Sequence, residues 1–327
     1  MSRLFPFFCT LALFCAPALA QTKIDITLPW GPTEFHTVNA QNFAKRVGEV
    51  TKGQVVMTVH AGGTLGIKAN ESIRAIEDGT VGMAEFAGFQ NVGEIPLLGI
   101  ESLPFLVDDY EQLRVMHGFS RPAWEAALAK RGNKTLYIVP WPSQNFYLKK
   151  QVRNIDDLKG VRMRTYDRVT ADMVGKLGMV PQQMNNPDIV PALASGRLDA
   201  VMTSGTTAVA QKYWEFLKHT YTTNHLWASN LMVMGNGAWN KLSPDNRAAI
   251  DKLAHEMEPE FWKVSQAEHA TRMAELRKNG MTVEPAAKEL LDRMRAVTRP
   301  MWDEFAKANG AEGAKILADY RARVGKQ

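Results

Sequence analysis

The chain has 327 residues, 39 Lys and Arg against 34 Asp and Glu, a formal charge of +5, and two cysteines, Cys9 and Cys15. So mild a charge, with no stripe of bases interleaved with aromatics, excludes a nucleic-acid surface and leaves a small anion open as partner. With no cysteine after Cys15, a disulfide framework and thiolate chemistry are excluded from the rest of the chain, which is long enough for one large domain or two ordinary ones.

The amino end carries Arg3, an apolar run from Leu4 to Cys15 and the small-x-small site Ala18-Leu19-Ala20. This predicts a secretory signal peptide over residues 1–20, cut after Ala20. Neither cysteine follows the small residue that lipidation expects, and no later apolar run has the length to cross a bilayer. The expectation is a soluble protein after export, with a charge of +4 once Arg3 has left with the signal.

The stretch KIDITLPW then reads as a strand, with GPTEFH as a turn at its carboxyl end. A helix follows over Val38–Val50, with Val38, Phe43, Ala44 and Val47 on one face and Gly53 as a stop. VVMTVHA is a second strand, a helix holds Ile73 and Ile76, and VGMAEFA is a third strand. IPLLGIESLPFLVDD reads as a loop laid over the core, and a helix from about Tyr110 to Lys130 leads to the strand TLYIVPW, which Pro140 ends or bends. After YLKK, a weak boundary, the pattern restarts: NIDDLKG as a short capped helix, VRMR as a strand, Val169–Leu177 as a helix, MVPQQM as a strand, NPDIVPALASG as a helical turn or two and RLDAVMTS as a strand. A helix is expected from Thr206 to Lys218 and a long strand in TNHLWASNLMVMGNGAW. Ser243-Pro244 opens a helix towards Gly280, kinked at Pro259, with Leu253, Met257, Phe261 and Val264 on its apolar side. Helices over Ala286–Val297 and Met301–Lys307 and a surface helix from Ala314 complete the chain. Short strands alternating with helices make the class α/β.

No dinucleotide or phosphate loop, zinc-protease helix or serine elbow occurs. His60, His117, His219, His225, His255 and His269 show no ligand spacing, so no metal and no cofactor is expected, and Asp156-Asp157 fits capping better than acid/base work. His36, in the loop after the first strand, is the histidine placed to face a cleft.

Arg162 and Arg164 lie two apart and share one strand face. Ligands of open α/β sheets sit beyond the carboxyl ends of strands, and an arginine there presents a rigid donor fork to a carboxylate. Trp30, Phe35, Phe86, Phe89, Trp141, Phe146, Tyr147 and Tyr166 follow or end strands, and together suggest a cleft with apolar walls and few polar anchors.

The run IDDLKGVRMRTYDRVTADMVGKLGMVPQQMNNPDIVPALASGRLDAVMTS resembles the central signature of the periplasmic solute-binding proteins of TRAP transporters, the DctP-like family. The likeness extends to GGTLG, IESLPFLVDDYEQ and QKYWEFLKHTYTTNH, and so to essentially all of the chain after the signal. It implies a two-domain periplasmic binding protein with a ligand cleft between the domains and a long connecting helix. The implied organisation is a first domain of 21–145 plus about 226–255, a second of 146–225, and helices from about 256 to 327 across both. It further implies capture of an organic acid anion in the periplasm, without catalysis, and delivery to TRAP membrane subunits by a monomer or homodimer. Arg164 takes the place of the family arginine that holds the ligand carboxylate, and Thr203 a place where many members carry asparagine. Asn185 is expected to orient the ligand's polar groups, with Trp30, Trp141, Phe146, Tyr166 and Phe86 as walls and His36 at the cleft. Thr165-Tyr166 departs from the family's valine and proline, and PSQNFY lacks a second arginine. Both departures favour an aromatic or bulky keto or hydroxy monocarboxylate, unless Lys149, Arg168 or His36 supplies a second positive group. An exported enzyme acting on a carboxylate and a ligand-binding sensor remain as alternatives.

Overall fold

A computed structural model of the chain describes residues 21–326; the signal peptide expected in residues 1–20 lies outside them. The strands are β1 (Thr22–Thr27), β2 (Val55–His60), β3 (Met83–Ala87), β4 (Asn133–Pro140), β5 (Asn145–Leu148), β6 (Arg162–Thr165), β7 (Val180–Gln183), β8 (Ala200–Thr203), β9 (His219–Thr222), β10 (Ser229–Gly235) and β11 (Thr282–Pro285). They form two sheets. The first runs β2-β1-β3-β10-β4 and the second β11-β9-β5-β8-β6-β7. In the first, β1 is parallel to β2 and β3, and β10 is antiparallel to both its neighbours. In the second, β6 is parallel to β7 and β8, so their carboxyl ends open on the same edge.

The chain crosses between the sheets after β4 and returns before β10. These two segments run side by side, because the Trp141 amide donates to the Ala228 carbonyl at 2.8 Å and the Gln144 amide to Leu226 at 2.9 Å. Paired strands of this kind are where a domain closure can hinge. The helix Pro244–Lys278 is the third connection. Ser243 caps it by accepting from the Asn246 amide, and Pro259 lies within it. Towards the first sheet, Trp262 Nε1 donates to the Ile138 carbonyl at 2.9 Å and Glu258 accepts from the Ile138 amide at 3.1 Å. Towards the second, Glu268 accepts from Thr206 Oγ1 at 3.2 Å.

The expected α/β alternation is present, with four differences. Lys212 takes a left-handed φ of 51° and ends the helix Gly205–Ala210, so the helix expected to Lys218 is broken. The long strand expected from Thr223 shrinks to β10, because residues 223–228 give their hydrogen bonds to the crossing and to Phe105. β9 and β11 had no alternation to announce them. Val38 and Val264, expected on buried faces, are 41% and 39% exposed, as each lies on the outer side of its helix.

Candidate functional site

Gly160, at φ 73°, turns the chain from the Asn154-capped turn Ile155–Leu158 into β6. Period two then places Arg162 and Arg164 on one face, and position along the strand separates their fates. Arg162, near the start, is part-exposed and grips Asp199 with Nε and Nη2, each at 2.7 Å. Arg164, near the end, is only 5% exposed. Its Nε donates to the Met184 carbonyl and its Nη1 to the Met202 carbonyl, both at 3.2 Å, and its guanidinium lies 5.1 Å over the Tyr166 ring. Among the described residues no carboxylate comes within ion-pair distance of Arg164. Burial lowers its pKa, yet a guanidinium keeps its charge in a protein. It is a desolvated cation held in place by neutral acceptors.

Arg164 lines a small cavity between the two sheets, with about 30 Å³ of room for a water-sized sphere, together with Trp30, Phe89, Gln90, Trp141, Gln144, Tyr166, Asn186, Thr203, Ser204 and Thr207. Trp30 and Trp141 meet edge to face at 4.8 Å, and Tyr166 from the second domain packs on Phe89 of the first at 4.4 Å. Trp30 Nε1 and the Tyr166 hydroxyl are buried without a hydrogen-bond partner. Burial pushes the Tyr166 phenol well above its usual range, so it remains a donor. Buried donors of this kind favour a ligand rich in acceptors.

Of the residues picked out from the sequence, Arg164, Tyr166, Thr203, Trp30, Trp141 and Phe89 therefore meet at one cavity. The others do not line it. His36 is fully buried behind Trp141, with ring centroids 4.2 Å apart, and its Nδ1 lies 3.0 Å from Glu85 Oε1. Burial lowers its pKa, so it is a neutral support and not a second cation. Phe86 points to the opposite face of its sheet, in a cluster with Ile138 and Leu231, because it alternates with Ala87. Phe146 lies inside the second domain against His225, at 4.8 Å. Asn185 lines an outer groove with Gln183 and Arg168, and its neighbour Asn186 reaches the cavity instead. Lys149 Nζ donates to the Leu198 carbonyl at 2.6 Å, away from the cavity. None of the three candidates for a second positive group is at the site.

Gln90, Gln144, Asn186, Ser204 and Thr207 were not singled out from the sequence. They sit in turns and at the start of a short helix, where no periodicity tells an inward side chain from an outward one. A polar network holds Trp141 from behind. Its Nε1 donates to Asn230 Oδ1 at 2.7 Å, Asn230 Nδ2 donates to Glu85 Oε1 at 2.8 Å, and the Tyr137 hydroxyl donates to Glu85 Oε2 at 3.2 Å.

Two sheets with paired crossings, a buried cation at strand ends and an aromatic wall opposite it define a two-domain solute-binding protein of the kind that closes over a small molecule. The profile of the bacterial extracellular solute-binding proteins, family 7, matches residues 29–309, and the chain belongs to that family. An extracytoplasmic solute receptor of Bordetella pertussis solved with pyroglutamic acid is 30% identical. It superposes with a TM-score of 0.89 over 92% of this chain and 99% of its own. A TRAP solute-binding protein from a marine metagenome, described as specific for pyroglutamate, is 32% identical with a TM-score of 0.87, covering 92% and 99%. The C4-dicarboxylate-binding periplasmic protein of Rhodobacter capsulatus is 26% identical over 308 residues, 90% of each chain. The periplasmic solute-binding protein expected from the central run is thus what the chain is.

Proposed function

We propose that the protein captures a small monocarboxylate of the pyroglutamate class in the periplasm and presents it to the membrane subunits of a TRAP transporter. The observation that carries this is Arg164, a buried guanidinium aimed at by no carboxylate of the described chain and lining a cavity with donors around it. A ligand carboxylate supplies the missing counter-charge through a bidentate pair. Arg164 is the one cationic side chain lining the cavity, which favours one carboxylate over two. Trp30 Nε1 and the Tyr166 hydroxyl, both unpartnered, suit a carbonyl or hydroxyl on a compact ring. The relatives of 30% and 32% identity were solved with such a ligand or described as specific for it.

Capture without chemistry fits the lining, whose hydroxyls are Thr203, Ser204 and Thr207: no histidine, lysine, cysteine, aspartate or glutamate lines the cavity, and Glu34, which accepts from Thr207 Oγ1 at 3.2 Å, lies outside the lining. Closure about the crossings supplies the mechanism, each domain contributing one wall.

The test is thermal unfolding of ligand-stripped protein against pyroglutamate, aromatic, keto and dicarboxylic acids. Binding to the native state raises the midpoint. Pyroglutamate or a similar compact monocarboxylate is expected to give the largest rise, and Arg164→Ala to abolish it. A rise with dicarboxylates alone, or one untouched by Arg164→Ala, overturns the reading.

A further inference from the structure

Glu34 belongs to the first domain, in the turn before the helix Phe35–Val50, and is 1% exposed. Both hydrogen-bond partners of its carboxyl group come from the other domain. Thr207 Oγ1 donates to Oε2 at 3.2 Å and Asn186 Nδ2 to Oε1 at 3.5 Å. The second contact ends a chain of aligned donors. The Tyr213 hydroxyl donates to Gln211 Oε1 at 3.1 Å, and Gln211 Nε2 donates to Asn186 Oδ1 at 2.9 Å. Asn186 is thereby left with its amide N–H pointing across the cleft. Asn186 and Thr207 both line the cavity, so the group that fixes them from the first domain also fixes what a ligand meets.

We infer that Glu34 is a positioning residue that latches the closed protein, orienting Asn186 and Thr207 across the cleft, and that closure over an anion is coupled to uptake of one proton from solvent by its carboxyl group. In the closed protein Glu34 is fully desolvated and has two long, neutral hydrogen bonds in place of a cation, which is poor compensation for a buried charge. Burial is the main cause that raises its pKa from 4.5 to about 7, and Glu268 on the long helix adds to it, while Thr207, Asn186 and the charge of Arg164 act the other way. Opening the cleft breaks both hydrogen bonds and returns the carboxyl to water, where an ordinary value near 4.5 applies. A ligand carboxylate on Arg164 neutralises the one cation that opposes the shift, so binding works in the same direction as closure.

The remaining charged and titratable groups facing this region do not reproduce that behaviour. Glu268 is paired with Arg272 at 2.8 Å, burial holds the His36 pKa below 6.5, and Tyr213 is held well above its usual range by burial. Asp167, raised by burial to about 6, lies beside Arg164 and bonds Thr170 within its own domain, so it does not change partners on closure.

The sign follows from linkage. A carboxyl whose closed-state pKa lies above its open-state value favours closure at low pH, and the gain is lost as pH rises through about 7. In its binding arm the inference rests on the carboxylate reading of the cavity, so two arms are needed. In the first, pyroglutamate affinity is measured at pH 6 and pH 8. The parent is expected to bind about tenfold more weakly at pH 8, taking up close to ~0.9 proton at pH 6 by calorimetry in buffers of different ionisation enthalpy. Glu34→Gln is expected to bind equally at both. A merely structural role would shift affinity without changing its pH profile. In the second arm, without ligand, the ratio of closed to open protein is followed in parent and Glu34→Gln by paramagnetic relaxation from a spin label on one domain to the amides of the other. The parent's ratio should fall about tenfold relative to the variant's between pH 6 and pH 8.

A parent without pH dependence in either arm, or a variant that keeps it, overturns the latch. No pyroglutamate binding at either pH overturns the substrate reading, and the ligand-free arm then decides the latch alone. Should Glu34→Gln fail to fold, the proton count on the unmodified protein decides it, with no uptake counting against.

Discussion

The wall that the first domain presents to the cavity is aromatic, with Trp30, Phe89 and Trp141, whereas the second presents Arg164, Asn186, Thr203, Ser204 and Thr207. The two are also held differently. Trp141 is fixed through Asn230 and Glu85 behind it, with every bond inside its own domain. Arg164 is fixed by the carbonyls of Met184 and Met202, likewise inside its own domain. Trp141 and Arg164 are therefore in place before the domains meet, which lowers the ordering cost of binding, whereas Asn186 and Thr207 meet Glu34 only on closure. On the proposed function, Arg164 of the second domain supplies the charge for an anion, and the aromatic rings of the first cover it, with Gln90 beside them. What spans the cleft directly is little: Tyr166 on Phe89, and Glu34 on Asn186 and Thr207.

If this division holds, substitutions in the two walls part affinity from stability. Arg164→Ala should have the largest effect on affinity, a loss of about 1,000-fold, because a bound carboxylate loses its only cation. Its Tm should stay level or rise, since a desolvated guanidinium is removed from the unliganded protein. A fall in Tm with affinity retained would break the comparison. Trp141→Ala should do the reverse in kind: about 3 kcal/mol of stability lost from the buried aromatic wall, with affinity reduced about tenfold. Calorimetry and denaturant unfolding on the same preparations separate the two. Thr207→Val, which keeps shape and removes one hydroxyl, should weaken binding by about fivefold and leave stability within about 1 kcal/mol. Arg162→Ala sets the lower limit. Its pair with Asp199 is part-exposed, so affinity should be unchanged and Tm close to the parent's. A large loss of binding there would mean that the whole face of β6, and not its carboxyl end, is the site.

Much of the fold was legible because periodicity is a local property. The helix Tyr110–Lys130 has the bounds its pattern predicts, β2, β3, β7 and β8 fall within the runs that announce them, and β1 and β6 each overrun theirs, by Thr22 and Thr165. β9 and β11 were not legible: each is four residues long, and neither alternates clearly between apolar and polar. β11 is a strand through its pairing with β9, far back along the chain, and β9 through its pairing with β5 on the other side. The cavity divides in the same manner. Arg164, Thr203 and Tyr166 could be read because strand-end positions are predictable once the strands are. Asn186 was missed for Asn185, since in a short turn adjacent residues face opposite ways and composition does not choose between them. His36 was misplaced because the helix opens at Phe35, ahead of the Val38 start expected for it, and this sets the ring behind Trp141 and not at a loop facing the cleft.

By itself the sequence determined the α/β class, the family, and the arginine at the end of β6, because these are carried by spacing along the chain. Only the tertiary structure decided which side chains face one another across the cleft. Glu34 lies 152 residues from Asn186 and 173 from Thr207, and nothing local marks it as different from any other carboxylate of a turn. Its environment is made by the approach of two domains, and so are the loss of its water and the shift of its proton affinity.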